Sequence, residues 1–327
     1  DTVTITNEDF KGITEYAQAG FKTGDVVSYR DLLYGVMLPS GADAVLALVN
    51  NVGGGRDKFI DLMNKKALEL KLSNTKFDNA IGMDSDNNYS TALDLAKLLI
   101  YALDNKTFKE VFTTRKYKVS SLGINLNSTL STYGKYLDVS NIKGAKSGFT
   151  DGAGLCLASI ATYNNIDYLL VVLGSSTSSK SNAVKDSLAV YDYYDQNYGY
   201  QRILEKGKEI KRVAISLGKQ KYYVIKALKD VDLYLKKDVD VGEIEYVYSG
   251  VEKLNYKIKK GDKLGKLEVK YKDDVLYAED VYLNDTIKYY HPVIYSVIVG
   301  AVILMLVSLR LMKKQKRRKR KRRKRTR

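Results

Sequence analysis

Two short strings in this chain carry groups that can do chemistry without a histidine. Lys146-Ser147-Gly148 sets a cation, a hydroxyl and a bare backbone in succession, and Phe149-Thr150-Asp151-Gly152-Ala153-Gly154 follows it. Ser40-Gly41-Ala42 places a second serine between two apolar segments. The 327 residues hold one His, His291, and one Cys, Cys156. That excludes Ser-His-Asp and Cys-His catalysis and most zinc sites, and it excludes an intramolecular disulfide. Hydrolysis on this chain must use Ser, Lys, Tyr or carboxylates. A serine nucleophile without histidine takes a lysine as its base. It also needs a second serine-bearing loop to relay protons and a cationic strand edge to hold a substrate carboxylate. Lys146 offers the charge, Ser147 a short hydroxyl, and Gly148 lets another backbone approach. This chemistry calls for no metal and no cofactor.

These groups must be positioned by the elements around them. Residues 1–6 alternate as a short strand does. Ser28-x-x-Asp31 reads as a capping box that opens a helix through Leu32, Leu33 and Val36, ending before Pro39. A second helix starts near Asp43 and is apolar almost all round, as a buried helix is; Gly53-Gly54-Gly55 stops it. An amphipathic helix covers 59–70. A loop rich in Asn, Asp and Gly follows, and Ser90-Thr91 caps a helix over 92–103. Residues 117–136 read as hairpin-like polar strands. Two apolar strands, 155–163 and 166–173, flank the turn pair Asn164-Asn165, and a last helix spans 183–194. The expected layout places Lys146 at the mouth of an apolar hairpin and Ser40 on the link between two helices. Asp43, Asp84 and Asp94 are read as caps and turns, and Cys156 as a core residue in a strand. After Gly199 the texture changes to short alternating strands, at 213–215, 222–225, 232–235, 244–248, 254–258, 266–271 and 275–278, punctuated by turns such as Lys260-Gly261-Asp262.

The net charge of +16 is not spread evenly. Residues 313–327 hold thirteen Lys or Arg, and Arg310 adds one. Removing these fourteen leaves about +2 for everything before Arg310, so a basic-bodied nucleic-acid binder is disfavoured and no specific nucleic-acid partner is expected. Residues 293–309 are apolar and uncharged; with Leu311 and Met312 the run reaches a bilayer-spanning length. The cations after it place that end in the cytoplasm and everything before His291 outside. The expected organisation is a catalytic domain over 1–200, a β-rich module over 205–289, a transmembrane helix over 292–312 and a polybasic tail over 313–327.

Several blocks together resemble the low-molecular-mass penicillin-binding proteins, the serine-type D-alanyl-D-alanine carboxypeptidases. They are Ala19-Gly20-Phe21-Lys22-Thr23-Gly24-Asp25, the run from Asp31 through Leu38-Pro39-Ser40-Gly41-Ala42-Asp43-Ala44, Phe77-Asp78-Asn79-Ala80-Ile81-Gly82-Met83-Asp84, Tyr89-Ser90-Thr91-Ala92-Leu93-Asp94-Leu95-Ala96, and Gly144-Ala145-Lys146-Ser147-Gly148-Phe149-Thr150. The resemblance covers about residues 1–195, and Lys259 to Gly265 resembles the stalk domain that follows in many of these enzymes. It implies an α/β (α+β) transpeptidase-like domain, an antiparallel sheet with helices on its faces, then an all-β stalk and one membrane helix. It implies that Ser40 relays protons to and from the leaving D-alanine. Lys146 would bind the terminal carboxylate, Ser147, where the family usually has Thr, would bond it too, and Gly148 would keep the strand edge open. The Phe149 N–H would serve as one oxyanion donor. The implied partners are peptidoglycan stem peptides, with β-lactams as inhibitors, and the membrane.

The sequence departs from the family pattern twice. The second motif usually ends in Asn, whose amide would hold the substrate's peptide group; with Ala42, either the substrate lies differently or another residue makes the contact. The nucleophile motif Ser-x-x-Lys is also absent where the family has it, shortly before the strand at 1–6. The strings Ser73-x-x-Lys76, Ser140-x-x-Lys143 and Ser216-x-x-Lys219 open no apolar helix on which both side chains would share a face. The chain is therefore read as N-terminally truncated, with the acylating serine and its lysine lying upstream and this fragment inactive as written. The alternative is a catalytically inactive wall-binding or scaffold protein that kept the fold.

Overall fold

The computed structural model describes residues 1–290 and 292–323, with side chains described except at 292 and 319–323. His291 and the last four residues of the polybasic tail lie outside the described residues. The chain divides into two units, Asp1–Gln196 and Asn197–Arg327.

The first unit begins with β1 (Thr2–Thr4), which pairs antiparallel with β2 (Val26–Ser28). Ser28 caps α1 (Tyr29–Met37): its hydroxyl accepts from the Asp31 N–H, and the Asp31 carboxylate accepts from the Ser28 N–H. This is the capping box expected from Ser28-x-x-Asp31. α2 (Ala42–Val52) is apolar on most sides and buries Ala44, Ala47 and Val49. α3 (Arg56–Glu69) and α4 (Ala92–Leu103) follow; Thr91 caps α4 by accepting from the Asp94 N–H. A further helix, α5 (Lys106–Thr113), was not anticipated; Asn105 caps it by accepting from the Phe108 N–H. The expected polar strands of 117–136 are realised only in part. β3 (Lys116–Val119) pairs with β4 (Ile124–Asn127), but Ser128 then caps a short helix, α6 (Thr129–Tyr133). Its hydroxyl accepts from the Ser131 N–H, which ends the extended run.

The main sheet is antiparallel and ordered β5 (Ile142–Thr150), β6 (Gly154–Tyr163), β7 (Ile166–Ser175). Asn164 and Asn165, with φ of 48° and 64°, make the tight turn between β6 and β7 that a right-twisted hairpin requires. One face packs on α7 (Asn182–Asn197) and Leu130 of α6, in a core with Ala145, Leu157, Ala161 and Tyr191. There the Ser159 and Tyr191 hydroxyls bond at 2.9 Å. On the other face α4 packs against β6 and β7, and α5 against β5. A Cβ on Gly144 would lie 2.7 Å from the Phe112 ring, so glycine there lets α5 close on the edge strand. A second core gathers β1 to β4 with α1, α2 and Val111.

The second unit is all-β before its last helix. β8 (Tyr198–Leu204) pairs with β11 (Val231–Lys236); β9 (Glu209–Ile215) lies between β10 (Tyr222–Lys226) and the short parallel β13 (Lys253–Leu254). β12 (Ile244–Gly250), β14 (Lys263–Tyr271) and β15 (Asp274–Tyr282) form an antiparallel meander. Two apolar cores serve this module, one centred on Ile203, Leu204, Leu267 and Val269, the other on Val213, Ile225, Leu254 and Leu264. The strand expected over 254–258 stops at Leu254, and β8 was not anticipated. α8 (Pro292–Arg323) carries the apolar run, and its side chains at 293–309 are exposed.

Candidate active site

β5 is an edge strand, so side chains alternate across it and its outer backbone groups stay unpaired by the sheet. Lys146 and Gly148 share the face of Gly144, toward the helices; Ser147 and Phe149 share the face of Ala145, toward α6 and α7. The two side chains of Lys146-Ser147 therefore part. The Lys146 Nζ donates to Ser40 Oγ at 2.6 Å and to the Ser147 carbonyl at 2.8 Å. Ser147 Oγ bonds Thr129 Oγ1 at 2.5 Å. Gly148 stands opposite Cys156, whose Cβ is 3.9 Å from the glycine's would-be Cβ, and the Phe149 ring is 57% exposed.

Ser40 reaches Lys146 because of how its loop is built. The residue sits at φ 63°, a left-handed conformation that disfavours any side chain but is tolerated where the surroundings fix it. Three contacts fix it. The Gly41 N–H donates to the Gly35 carbonyl at 2.9 Å, the Ala42 N–H to the Ala17 carbonyl at 2.8 Å, and Asp43 holds the facing loop. The Asp43 carboxylate is fully buried and accepts from three backbone N–H groups, Ala19 at 2.7 Å, Gly20 at 3.1 Å and Phe21 at 3.2 Å. A Cβ on Gly41 would meet Ala19 N at 2.6 Å, so only glycine fits between the two loops.

Lys146 is half-buried, and its ammonium is crowded by protein atoms. Desolvation lowers its pKa from 10.5 to about 8, since burial disfavours the charged form. A lysine so placed can hold a carboxylate as a cation or take a proton from a neighbouring hydroxyl near neutral pH.

Farther along β5 a second tether holds the hairpin. Asp84 accepts from the Gly152 N–H at 3.0 Å, and its bonds to Thr150 and Gly152 keep its pKa below the ordinary carboxylate value. Asp94 accepts from the Asn74 N–H at 2.8 Å and from Thr75 Oγ1. All three aspartates thus act as loop and cap anchors, in line with their sequence reading. Ala42 packs with Ile13 and Leu46 in a small apolar cluster, and Ser73, Ser140 and Ser216 lie in turns or bends rather than at helix starts.

Of the residues singled out from sequence, Ser40 and Lys146 meet directly, although 106 positions apart. Ser147, Gly148 and Phe149 follow Lys146 on the same strand. Thr129 was missed, because its segment read as strand. The Ser128-Thr129 pair ahead of Leu130 is a capping signal that could have found it.

Residues 1–177 match the family described as D-alanyl-D-alanine carboxypeptidase, and residues 198–289 match the penicillin-binding protein 5 C-terminal domain. The D-alanyl-D-alanine carboxypeptidase DacF of Bacillus subtilis is 27% identical over 279 residues, covering 83% of this chain and 69% of that protein. The D-alanyl-D-alanine carboxypeptidase of Streptomyces sp. strain K15 is 34% identical over 203 residues, covering 56% of this chain and 68% of that one. The crystal structure of penicillin binding protein 5 from Haemophilus influenzae superposes with a TM-score of 0.63 at 24% identity, covering 88% of this chain and 83% of that one; at that identity the likeness speaks for the fold. The family match spans more than half of the 327 residues, and the chain belongs to the D-alanyl-D-alanine carboxypeptidase family.

Proposed function

We propose that this chain is the greater part of an exported, membrane-anchored serine-type carboxypeptidase that removes the terminal D-alanine from peptidoglycan stem peptides through an acyl-enzyme. The observation that carries this reading is the 2.6 Å contact between Lys146 Nζ and Ser40 Oγ, which joins a cationic strand edge to a serine loop. The substrate's terminal carboxylate binds Lys146, with Ser147 beside it. The Ser147 carbonyl accepts from the Lys146 ammonium, which places it at the edge away from β6; by the alternation of an antiparallel ladder, Phe149 two residues on turns its N–H to the same open edge. That N–H is the proposed oxyanion donor, at the point where negative charge grows as the carbonyl becomes tetrahedral. Gly148 leaves the approach clear. Ser40, bonded to a lysine titrating near pH 8, passes a proton to the leaving D-alanine amine. β-Lactams, which carry a carboxylate beside a reactive carbonyl, enter the same cleft as inhibitors.

The acylating Ser-x-x-Lys is assigned to residues upstream of Asp1. The second reading, a catalytically inactive wall-binding or scaffold protein, is favoured by Ala42, whose methyl packs among apolar residues and offers no amide to a substrate. Labelling with a fluorescent penicillin separates the two. The natural protein with its upstream residues is expected to label covalently, and its Lys146→Ala variant to label at least tenfold more slowly. Residues 1–327 alone are expected not to label. Absence of labelling in the natural protein would establish the scaffold reading, and labelling of residues 1–327 alone would overturn the upstream assignment.

A further inference from the structure

The sequence from Thr286 to Arg327 contains no Asp or Glu, and thirteen of its last fifteen residues are Lys or Arg. α8 runs unbroken from Pro292 to Arg323, so apolar and basic segments form one helix. Its apolar part has no buried side, with Val293 59%, Leu304 71% and Met305 63% exposed. Twenty residues at about 1.5 Å each match a hydrocarbon core of about 30 Å. With 293–312 in that core, Lys313 emerges at its boundary, with no linker between span and cations. We propose that residues 313–327 are a binding segment for anionic phospholipid headgroups of the leaflet they enter.

Four observations carry this. The number of cations far exceeds the modest local excess that orients a membrane helix. The cations also repel one another along the helix. Lys313 and Arg317, Lys314 and Arg318, Lys316 and Arg320, and Arg317 and Lys321 are like-charged pairs four residues apart, each unfavourable on a helix, and the segment holds no acid to relieve them. A bed of phosphates supplies the missing countercharge. Further, the charges occupy consecutive positions and so surround the helix. A diffuse anionic surface satisfies that arrangement, whereas a protein groove would meet one face. Finally, the tether fixes the choice of anion. The rest of the chain carries only about +2 and adds no basic surface for nucleic acid, while the span holds the tail at lipid phosphates at high effective concentration. An upright helix would carry Arg323 about 16 Å beyond Met312, past the Debye length of about 8 Å at physiological salt. The first cations, Lys313 to Arg318, lie within about 9 Å of that boundary and so make most of the headgroup contact, the arginines taking phosphate oxygens in pairs.

The test uses the whole chain in lipid nanodiscs, made either of phosphatidylcholine alone or with phosphatidylglycerol. Trypsin cleavage within 313–327 is followed by mass spectrometry, with cleavage in 197–290 as the internal reference. Tail cleavage is expected to slow at least tenfold in the phosphatidylglycerol discs and to recover in high salt. Equal rates in the two discs would overturn the proposal. So would protection that appears only when duplex nucleic acid is added, which would assign the tail to that partner instead.

Discussion

Lys146 is a cation held partly out of water, and its ammonium donates to a hydroxyl and a carbonyl rather than to a carboxylate. Its pKa of about 8 fixes two signs. For stability, the folded chain carries the burden of a desolvated ammonium in full below pH 8. That burden fades as pH rises from 8 toward 10.5, where the unfolded lysine also loses its proton. A Lys146→Met variant, of similar length and no charge, is therefore expected to be more stable than the parent at pH 7, by about 1–3 kcal/mol, and to lose that advantage near pH 10. For ligand binding the sign reverses. A bound carboxylate favours the ammonium and raises its pKa, so binding takes up a proton above pH 8. Affinity for an acyl-D-alanyl-D-alanine peptide is expected to be flat between pH 6 and 8 and to fall by up to tenfold per pH unit above that. Calorimetric titration in two buffers of different ionisation enthalpy would register the proton uptake. An affinity unchanged from pH 7 to 10 would remove Lys146 from the carboxylate site.

At the level of elements, the chemistry rests on a loop, residues 39–43, clamped between α1, α2 and the 17–21 segment. The clamp is Asp43, whose three backbone bonds hold the segment against which Gly41 lies without space for a side chain. Asp43→Asn presents an amide NH2 to donors that need an acceptor. It is expected to destabilise the first unit by about 3 kcal/mol and to slow penicillin labelling more than a Ser28→Ala change, which removes only a cap worth about 1 kcal/mol. Denaturant unfolding and labelling rates on both variants check this; equal effects would mean that the clamp does not position Ser40. Much of this frame was legible in the sequence. Ser28 and Thr91 announced their helices because a cap is a local contact, and Asn164-Asn165 announced its turn for the same reason. α5 and α6 were not legible, having eight and five residues, too few to show a period; packing on β5 holds them. The left-handed Ser40 was hidden because serine does not advertise that conformation as glycine does. The meeting of Ser40 with Lys146 spans 106 positions, so no periodicity reports it and only the resemblance pointed to it. The Thr129–Ser147 bond was hidden by the misread strand.

At the scale of the molecule, the two units are served by separate apolar cores, two in 197–290 and the others in 1–196. A module with its own apolar cores meets the condition for a domain that could in principle fold alone. α8 adds a segment that none of these cores covers: its apolar residues are exposed over 293–309, it is long and apolar enough to cross a membrane, and about 25 cal/mol per Å2 of apolar surface favours its removal from water. Deleting residues 292–327 removes that drive, leaves the Ser40–Lys146 contact untouched, and takes from the β module only the Tyr295 ring that packs on Tyr290. The shortened natural protein is thus expected to move from the membrane pellet to the soluble fraction, while its penicillin-labelling rate and the unfolding midpoint of its first unit stay within twofold and within 1 °C of the parent. Retention in the pellet after an alkaline carbonate wash would show that another surface of the β module holds the membrane. A labelling rate reduced tenfold would show that the anchor, beyond setting the protein's address, shapes the cleft itself.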